Sequence, residues 1–328
     1  MLKAHITPYA KMALLLLGLS SLVGCAQVLA QRIHQSKSYA APAIKPEVLQ
    51  RLNPKLQQIC VGSELCMRYW QIQPAAEPAE RLKFSMNAEV NAAKSVLALE
   101  INRADLIPRQ GTVLLLHGYR GSKEWLALSA LYFQYLGFEV LVPDLLGHGE
   151  SDGDVAFGVA DAEFLQQLTA KRISDGPLLI VANSMGALSA AHLLASKQEV
   201  AGVMLQAPMQ SFDMALQGYV AMSERWYRKA FSEQQLVEAA ELALAKAGVS
   251  VAQTDLQHYK AHFTMPTLIL TADNDLIAPY QFYAGWQEPQ FYVKRVADRH
   301  HALMSVISQQ EHEWVQQWLA LIPATQLR

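Results

Sequence analysis

From its middle onward the chain alternates short apolar runs with stretches of helical period. The runs predict strands at Val96–Ile101, Thr112–Leu116, Phe138–Val142, Leu178–Val181, Val200–Gln206, Thr267–Leu270 and Phe291–Val296. Between them the period predicts helices near Lys123–Tyr135, Ala160–Ala170, Met185–Ser196, Tyr280–Trp286 and Ala302–Leu321. Strand, helix, strand, helix means parallel pairing, hence an α/β domain with a mostly parallel central sheet and helices on both faces. The wholly apolar Val113-Leu114-Leu115-Leu116 and Leu178-Leu179-Ile180-Val181 fit central strands buried on both sides. The rhythm breaks once, over about 209–263. That stretch has helical patterns such as Glu233–Ala247 and the side chains Phe212, Met214, Tyr219, Met222, Trp226, Tyr227 and Phe231. It reads as a small helical cap whose aromatics mostly form its own core, with some left to face a cavity.

The N-terminus has a different pattern. Lys3 and Lys11 precede a short apolar run from Met12 to Leu19, then Leu22-Val23-Gly24-Cys25. The run is too short for a membrane span, which takes about 20 apolar residues, and suits a signal peptide over 1–24. Residues 25–54 lack clear periodicity, carry Ala41-Pro42-Ala43-Ile44-Lys45-Pro46, and read as a tether before a folded domain at 55–328. Leu-Val-Gly-Cys resembles the bacterial lipobox. That resemblance implies lipidation of Cys25 and membrane attachment through the acyl chains, with Ala26 favouring the outer membrane, facing the periplasm. In an exported chain, Cys60 and Cys66 could form a disulfide if the turn-prone loop between them folds back, since a straight strand would hold them apart. Reduced, partly buried thiols are the alternative.

Hydrophobic residues make up 52% and charged residues 17% of the 328, as in a globular protein and unlike a disordered one. Formal net charge is −2 without a Lys/Arg block, so nothing points to nucleic acid. The histidines show no H-E-x-x-H or comparable ligand spacing, and no G-x-G-x-x-G or P-loop occurs. No metal and no cofactor are expected.

The chemistry centres on Ala182-Asn183-Ser184-Met185-Gly186. An apolar strand stops at a serine flanked by small residues, and an alanine-rich helix follows at once. This is the form of a nucleophile elbow, in which a tight strand-to-helix turn lifts the hydroxyl above the sheet. An ordinary helix N-cap serine would look similar, so the neighbours matter. His117-Gly118-Tyr119-Arg120-Gly121 ends one buried strand, and Pro143-Asp144-Leu145-Leu146-Gly147-His148-Gly149-Glu150-Ser151 follows another.

His-Gly after one strand, Pro-Asp-x-x-Gly-His-Gly-x-Ser after the next and small-x-Ser-x-small after the third resemble the serine branch of the α/β-hydrolase family. The helical insertion is similar to that of capped esterases and monoacylglycerol lipases. The resemblance covers the chain from about Thr112 onward and departs from the usual elbow in having Ala182 for its first glycine. It implies an α/β-hydrolase fold, a triad in the order Ser-Asp-His, and oxyanion donors at the N–H groups of Tyr119 and Met185. His117, Asp144 and His148 would be structural. Family loops with Gly-x-x-Asp-x-x-x-Pro, laid on Ala272–Pro279, favour Asp275 over Asp273 as the acid. For the base, one alignment favours His301 and another His300, with a slight lean to His301. The expected activity is hydrolysis of hydrophobic or lipid-like carboxylic esters. Rival readings are a serine peptidase or thioesterase on the same fold, or a non-catalytic envelope binding protein.

Overall fold

A computed structural model describes residues 25–35, 38–40, 44–62, 65–77, 79–90, 93–173, 175–223, 229–297 and 299–322. The signal-peptide reading over 1–24, with Trp226 and Tyr227 of the insertion, lies outside the described residues.

In chain order the elements are α1 (25–34), α2 (Pro46–Leu52), β1 (Lys55–Val61), β2 (Leu65–Ile72), β3 (Arg81–Val90), β4 (Ala93–Asn102), β5 (Thr112–Leu116), α3 (Ala127–Leu136), β6 (Glu139–Pro143), α4 (Asp161–Thr169), β7 (Leu178–Asn183) and α5 (Gly186–Ala195). They continue with β8 (Gly202–Gln206), α6 (Phe212–Met222), α7 (Glu233–Lys246), α8 (Val251–Thr254), β9 (Thr267–Thr271), α9 (Tyr280–Tyr283), β10 (Phe291–Arg295) and α10 (Gln309–Ala320). An 8-stranded sheet runs β1-β2-β6-β5-β7-β8-β9-β10. From β6 to β10 all neighbours are parallel, while β2 pairs antiparallel with both β1 and β6.

Alternation along the central strands divides the core in two. Leu114, Leu116, Ile180 and Ala182 face one cluster with α4 and α5; Val113, Leu115, Leu179 and Val181 face the other with α3 and α10. Period 2 with both sets apolar is why these strands read as unbroken hydrophobic runs.

Three strands, β1, β2 and β3, escaped the sequence pattern. β1 is an edge strand whose Lys55–Gln58 are exposed, so it has no apolar run. The expected strand at Val96–Ile101 lies within β4, but it pairs with β3 in a separate two-stranded hairpin. The expected helix at Ala302–Leu321 is interrupted: a single turn at His301–Leu303 precedes α10, which starts anew after Ser308, where Ser308 and Glu311 form a capping box. Cys60 and Cys66 sit opposite each other in the β1–β2 hairpin and are disulfide-bonded.

The stretch read as an unpatterned tether contains structure. Ala26, Ala30 and Ile33 on α1 are buried in the first core cluster, and Leu52 on α2 in the second. Alanine carries little hydrophobic signal, which is why the stripe at i, i+4 and i+7 was missed. Within 209–263, α6 packs on α7 and α8, and the turn Leu256–His262 packs on α5 and α8.

Candidate active site

Ser184 stands between the end of β7 and the start of α5, with φ at +50. A left-handed serine is uncommon, and such strain persists only where the surroundings enforce it. Here they do: the Ser184 N–H donates to the Gln206 carbonyl at 3.0 Å, and the Ser184 carbonyl accepts from Ala187 N at 3.0 Å. Ala182 is fully buried in β7 between Leu116 and Leu205, so its methyl group fills core space.

Ser184 Oγ lies 2.9 Å from His301 Nε2, and His301 Nδ1–H donates to Asp275 Oδ2 at 2.7 Å. Three loops that are far apart in sequence therefore form one hydrogen-bonded chain. Asp275 is fully buried, and its other oxygen accepts the N–H groups of Ile277 at 2.9 Å and Ala278 at 3.1 Å. These bonds fix the carboxylate and, through it, the imidazole's orientation. The loop closes on itself by a bridge between Ala272 and Pro279. Asp273 points elsewhere and pairs with Arg295 at the surface. His300 takes a neighbouring role, its Nδ1 accepting the Ala302 N–H at 3.2 Å to cap the turn that carries His301. Burial and the adjacent His301 hold the His300 imidazole below its ordinary pKa.

The candidate oxyanion loop, Gly118–Gly121, lies against the elbow. A Cβ on Gly118 would lie 3.0 Å from the Ser184 Cβ, so any side chain there would force the loop or the serine to shift by a few tenths of an ångström. The Met185 N–H opens α5, where backbone donors lack intrahelical acceptors. His117 is a structural residue: Nε2 accepts the Leu145 N–H at 3.0 Å and Nδ1–H donates to the Gly118 carbonyl at 2.8 Å. Burial pushes its pKa down to about 4. His148 is likewise buried, its pKa pushed down to about 3, with the nearby His117 adding to the effect. Asp144 accepts bonds from the Lys123 backbone at 2.7 Å, the Lys123 ammonium at 2.7 Å and Glu150 N at 2.9 Å. Burial would lower the Lys123 pKa, but the carboxylates of Asp144, Glu150 and Glu124 more than offset it and raise it.

Sequence reasoning missed the part played by the N-terminal segment. The Tyr119 hydroxyl donates to the Ile33 carbonyl at 2.8 Å, Tyr39 N to the Arg120 carbonyl at 2.8 Å, and Ser38 Oγ to the Gly121 carbonyl at 2.9 Å. The Arg120 guanidinium stacks on the Tyr39 ring at 4.0 Å. Every residue of the loop after Gly118 is thus tied to residues 33–39. The alanine stripe of α1 was the available signal.

Ser184 and His301 lie in a cleft of about 1370 Å³, lined by α1, α6 and the Gly118–Gly121 loop and more apolar than polar. Cys25 is exposed at its rim. Among the described residues, no group of three or more His, Cys, Asp or Glu side chains could hold a metal ion. No helix among them is long and apolar enough to cross a membrane.

A model of the alpha/beta hydrolase family matches residues 113–327, from β5 to beyond α10. The chain belongs to this family. As an alpha/beta hydrolase it shares its fold with an esterase of Pyrococcus furiosus, Pf2001, at a TM-score of 0.60 and 15% identity, over 87% of this chain and 98% of that one. A lipase candidate of Acinetobacter baumannii superposes at a TM-score of 0.54 and 16% identity, over 86% and 99% of the two chains. A proline iminopeptidase-related protein of Thermus thermophilus gives a TM-score of 0.51 at 17% identity, over 83% and 99%. At these identities the likeness is one of fold. No curated protein matches the sequence.

Proposed function

We propose that this alpha/beta hydrolase is a serine-dependent carboxylic ester hydrolase for substrates with a hydrophobic acyl group. The observation that carries the reading is the chain Ser184–His301–Asp275 at the floor of an apolar cleft. His301 takes the Ser184 proton as Oγ attacks the ester carbonyl, and Asp275 stabilises the imidazolium that forms. The N–H groups of Tyr119 and Met185 receive the developing oxyanion. His301 then protonates the leaving alcohol, and an acyl group remains on Ser184. Water, deprotonated by the same imidazole, attacks the acyl carbon and releases the acid and the free serine.

None of the described residues lining the cleft is Asp or Glu. A peptidase that holds a free amino terminus would call for a carboxylate there, so the lining favours the ester reading over the peptidase one. The lipobox-like Leu22-Val23-Gly24-Cys25 supports attachment to the bacterial envelope through lipid on Cys25, with the enzyme on the outer membrane facing the periplasm.

The test is turnover of p-nitrophenyl esters together with labelling by a fluorophosphonate probe. We expect both for the wild type and neither for Ser184→Ala. Undiminished turnover by Ser184→Ala would refute the assignment.

A further inference from the structure

The helix α1, described from Cys25, has two working faces. Ala26, Ala30 and Ile33 are buried in the core, and the small alanines let the helix lie close to the body of the domain. Beside them Cys25, Val28, Leu29 and Arg32, at i, i+3, i+4 and i+7, line the active-site cleft. Opposite them α6 contributes Ala215, Leu216, Tyr219 and Val220. Beyond the end of α1, Tyr39 meets the α6 wall, its hydroxyl 2.9 Å from that of Tyr219. At the C-terminal end of α1 the Ile33 carbonyl accepts the Tyr119 hydroxyl, and Tyr119 follows Gly118, which lies against Ser184. At the outer end Val28 is 61% exposed and Cys25 is exposed. Eight residue steps at 1.5 Å separate Cys25 from Ile33, about 12 Å along the helix. The space between the walls is therefore a long, mainly apolar slot, with Arg32 the charged side chain on its α1 wall, and both Ser184 and Cys25 line it.

We propose that α1 is the acyl-chain wall of this enzyme. The unbranched chain of a fatty acyl ester extends from Ser184 along Val28 and Leu29, between α1 and α6, toward the rim at Cys25. The inference deepens the ester-hydrolase reading, on which it rests for the chemistry at Ser184. It names the substrate class as esters of long, straight-chain fatty acids. It also makes the segment that follows Cys25 a specificity element of the site. A mainly apolar lining, with no Asp or Glu among its described residues, suits an alkyl chain, which gains about 0.8 kcal/mol for each methylene removed from water, a constant equal to about fourfold in affinity.

The test uses the full chain and two substitutions. Leu29→Trp fills the slot from its middle. Val28→Trp does so from an exposed position that cannot disturb the core. First, kcat/KM is measured for p-nitrophenyl dodecanoate and butyrate. The dodecanoate-to-butyrate ratio is expected to fall about tenfold or more in either variant, as several methylenes lose their burial. Second, cis-parinaric acid is titrated by fluorescence into Ser184→Ala protein with and without each Trp substitution, and binding is expected to weaken by a similar factor. An unchanged ratio in both variants, or equal loss at both chain lengths with parinarate binding intact, overturns the proposal. A wild type that turns over no ester yet binds parinarate in a Leu29- and Val28-dependent way keeps the wall and refutes the ester-hydrolase reading instead.

Discussion

A Cβ placed on Gly186 would lie 2.7 Å from the carbonyl oxygen of Leu116, closer than any side chain tolerates. The contact is between the first residue of α5 and the end of β5, and backbone atoms cannot move aside. Two positions before Ser184 the demand is absent, because Ala182 occupies a regular strand position whose Cβ points into the core. The elbow thus keeps its second small residue as glycine and has alanine for the first. Gly186→Ala is expected to push α5 off β5, lowering the melting temperature and the ester turnover together. Ala182→Gly is expected to cost about 1 kcal/mol of stability through strand entropy and lost packing, with turnover close to wild type. Thermal unfolding and p-nitrophenyl ester assays on the two variants check the contrast.

The acid assignment separates two aspartates two residues apart. Asp275 bonds to His301 Nδ1, whereas Asp273 pairs with Arg295 outside the cleft. Asp275→Asn is expected to lower kcat by about 10⁴, since the amide favours the wrong imidazole tautomer. Asp273→Asn should stay near wild type, because exposed ion pairs contribute little. Equal losses in steady-state assays would overturn the assignment. His301→Gln should similarly cost orders of magnitude more than His300→Gln.

Lys123, with 1% of its side chain exposed, is surrounded by Asp144 at 2.7 Å, Glu150 at 2.6 Å and Glu124 at 3.0 Å. Removing the ammonium leaves the buried Asp144 carboxylate without its cation. Lys123→Met is therefore expected to destabilise the fold by about 3–5 kcal/mol. Denaturant unfolding measures this directly. The double variant Lys123→Met/Asp144→Leu should recover part of the loss, since it removes the stranded charge as well.

Asp161 provides a pH-dependent term. It is buried and accepts the Leu146 N–H at 2.8 Å, and burial pushes its pKa up to about 7. Because the folded value lies above the unfolded one, the folded state binds more protons between them. This group's contribution to stability thus falls as pH rises from about 4 to about 7, and the penalty is complete above that. Asp161→Asn keeps an oxygen for Leu146 and cannot ionise. The difference in melting temperature, variant minus wild type, should be more favourable near pH 8 than near pH 5. A difference independent of pH would contradict the raised pKa.

Much of the site was legible along the chain because its parts are local. A buried strand ending in Ser184, a His-Gly at the end of β5, and an Asp-x-x-x-Pro loop after β9 each fit within a few residues. Asp275 was favoured by loop spacing, and the structure places it on His301. Between His300 and His301 spacing gave only a lean, since either sits in the same loop. What separates them is direction: one imidazole turns to Ser184 and Asp275, the other caps its own turn.

The amino-acid sequence by itself determined the parallel core, the chain order of Ser184, Asp275 and His301, and the elbow. Each of these rests on period, apolar runs or short-range turn chemistry. Tertiary structure alone decided which histidine meets the serine, that β3 and β4 stand apart from the main sheet, and that the stretch after Cys25 is part of the cleft. The buried stripe of α1 has only Ile33 beside two alanines, a faint apolar signal, and Tyr119 and Ile33 are 86 residues apart. Contacts of that range follow from how layers stack, which no local pattern contains.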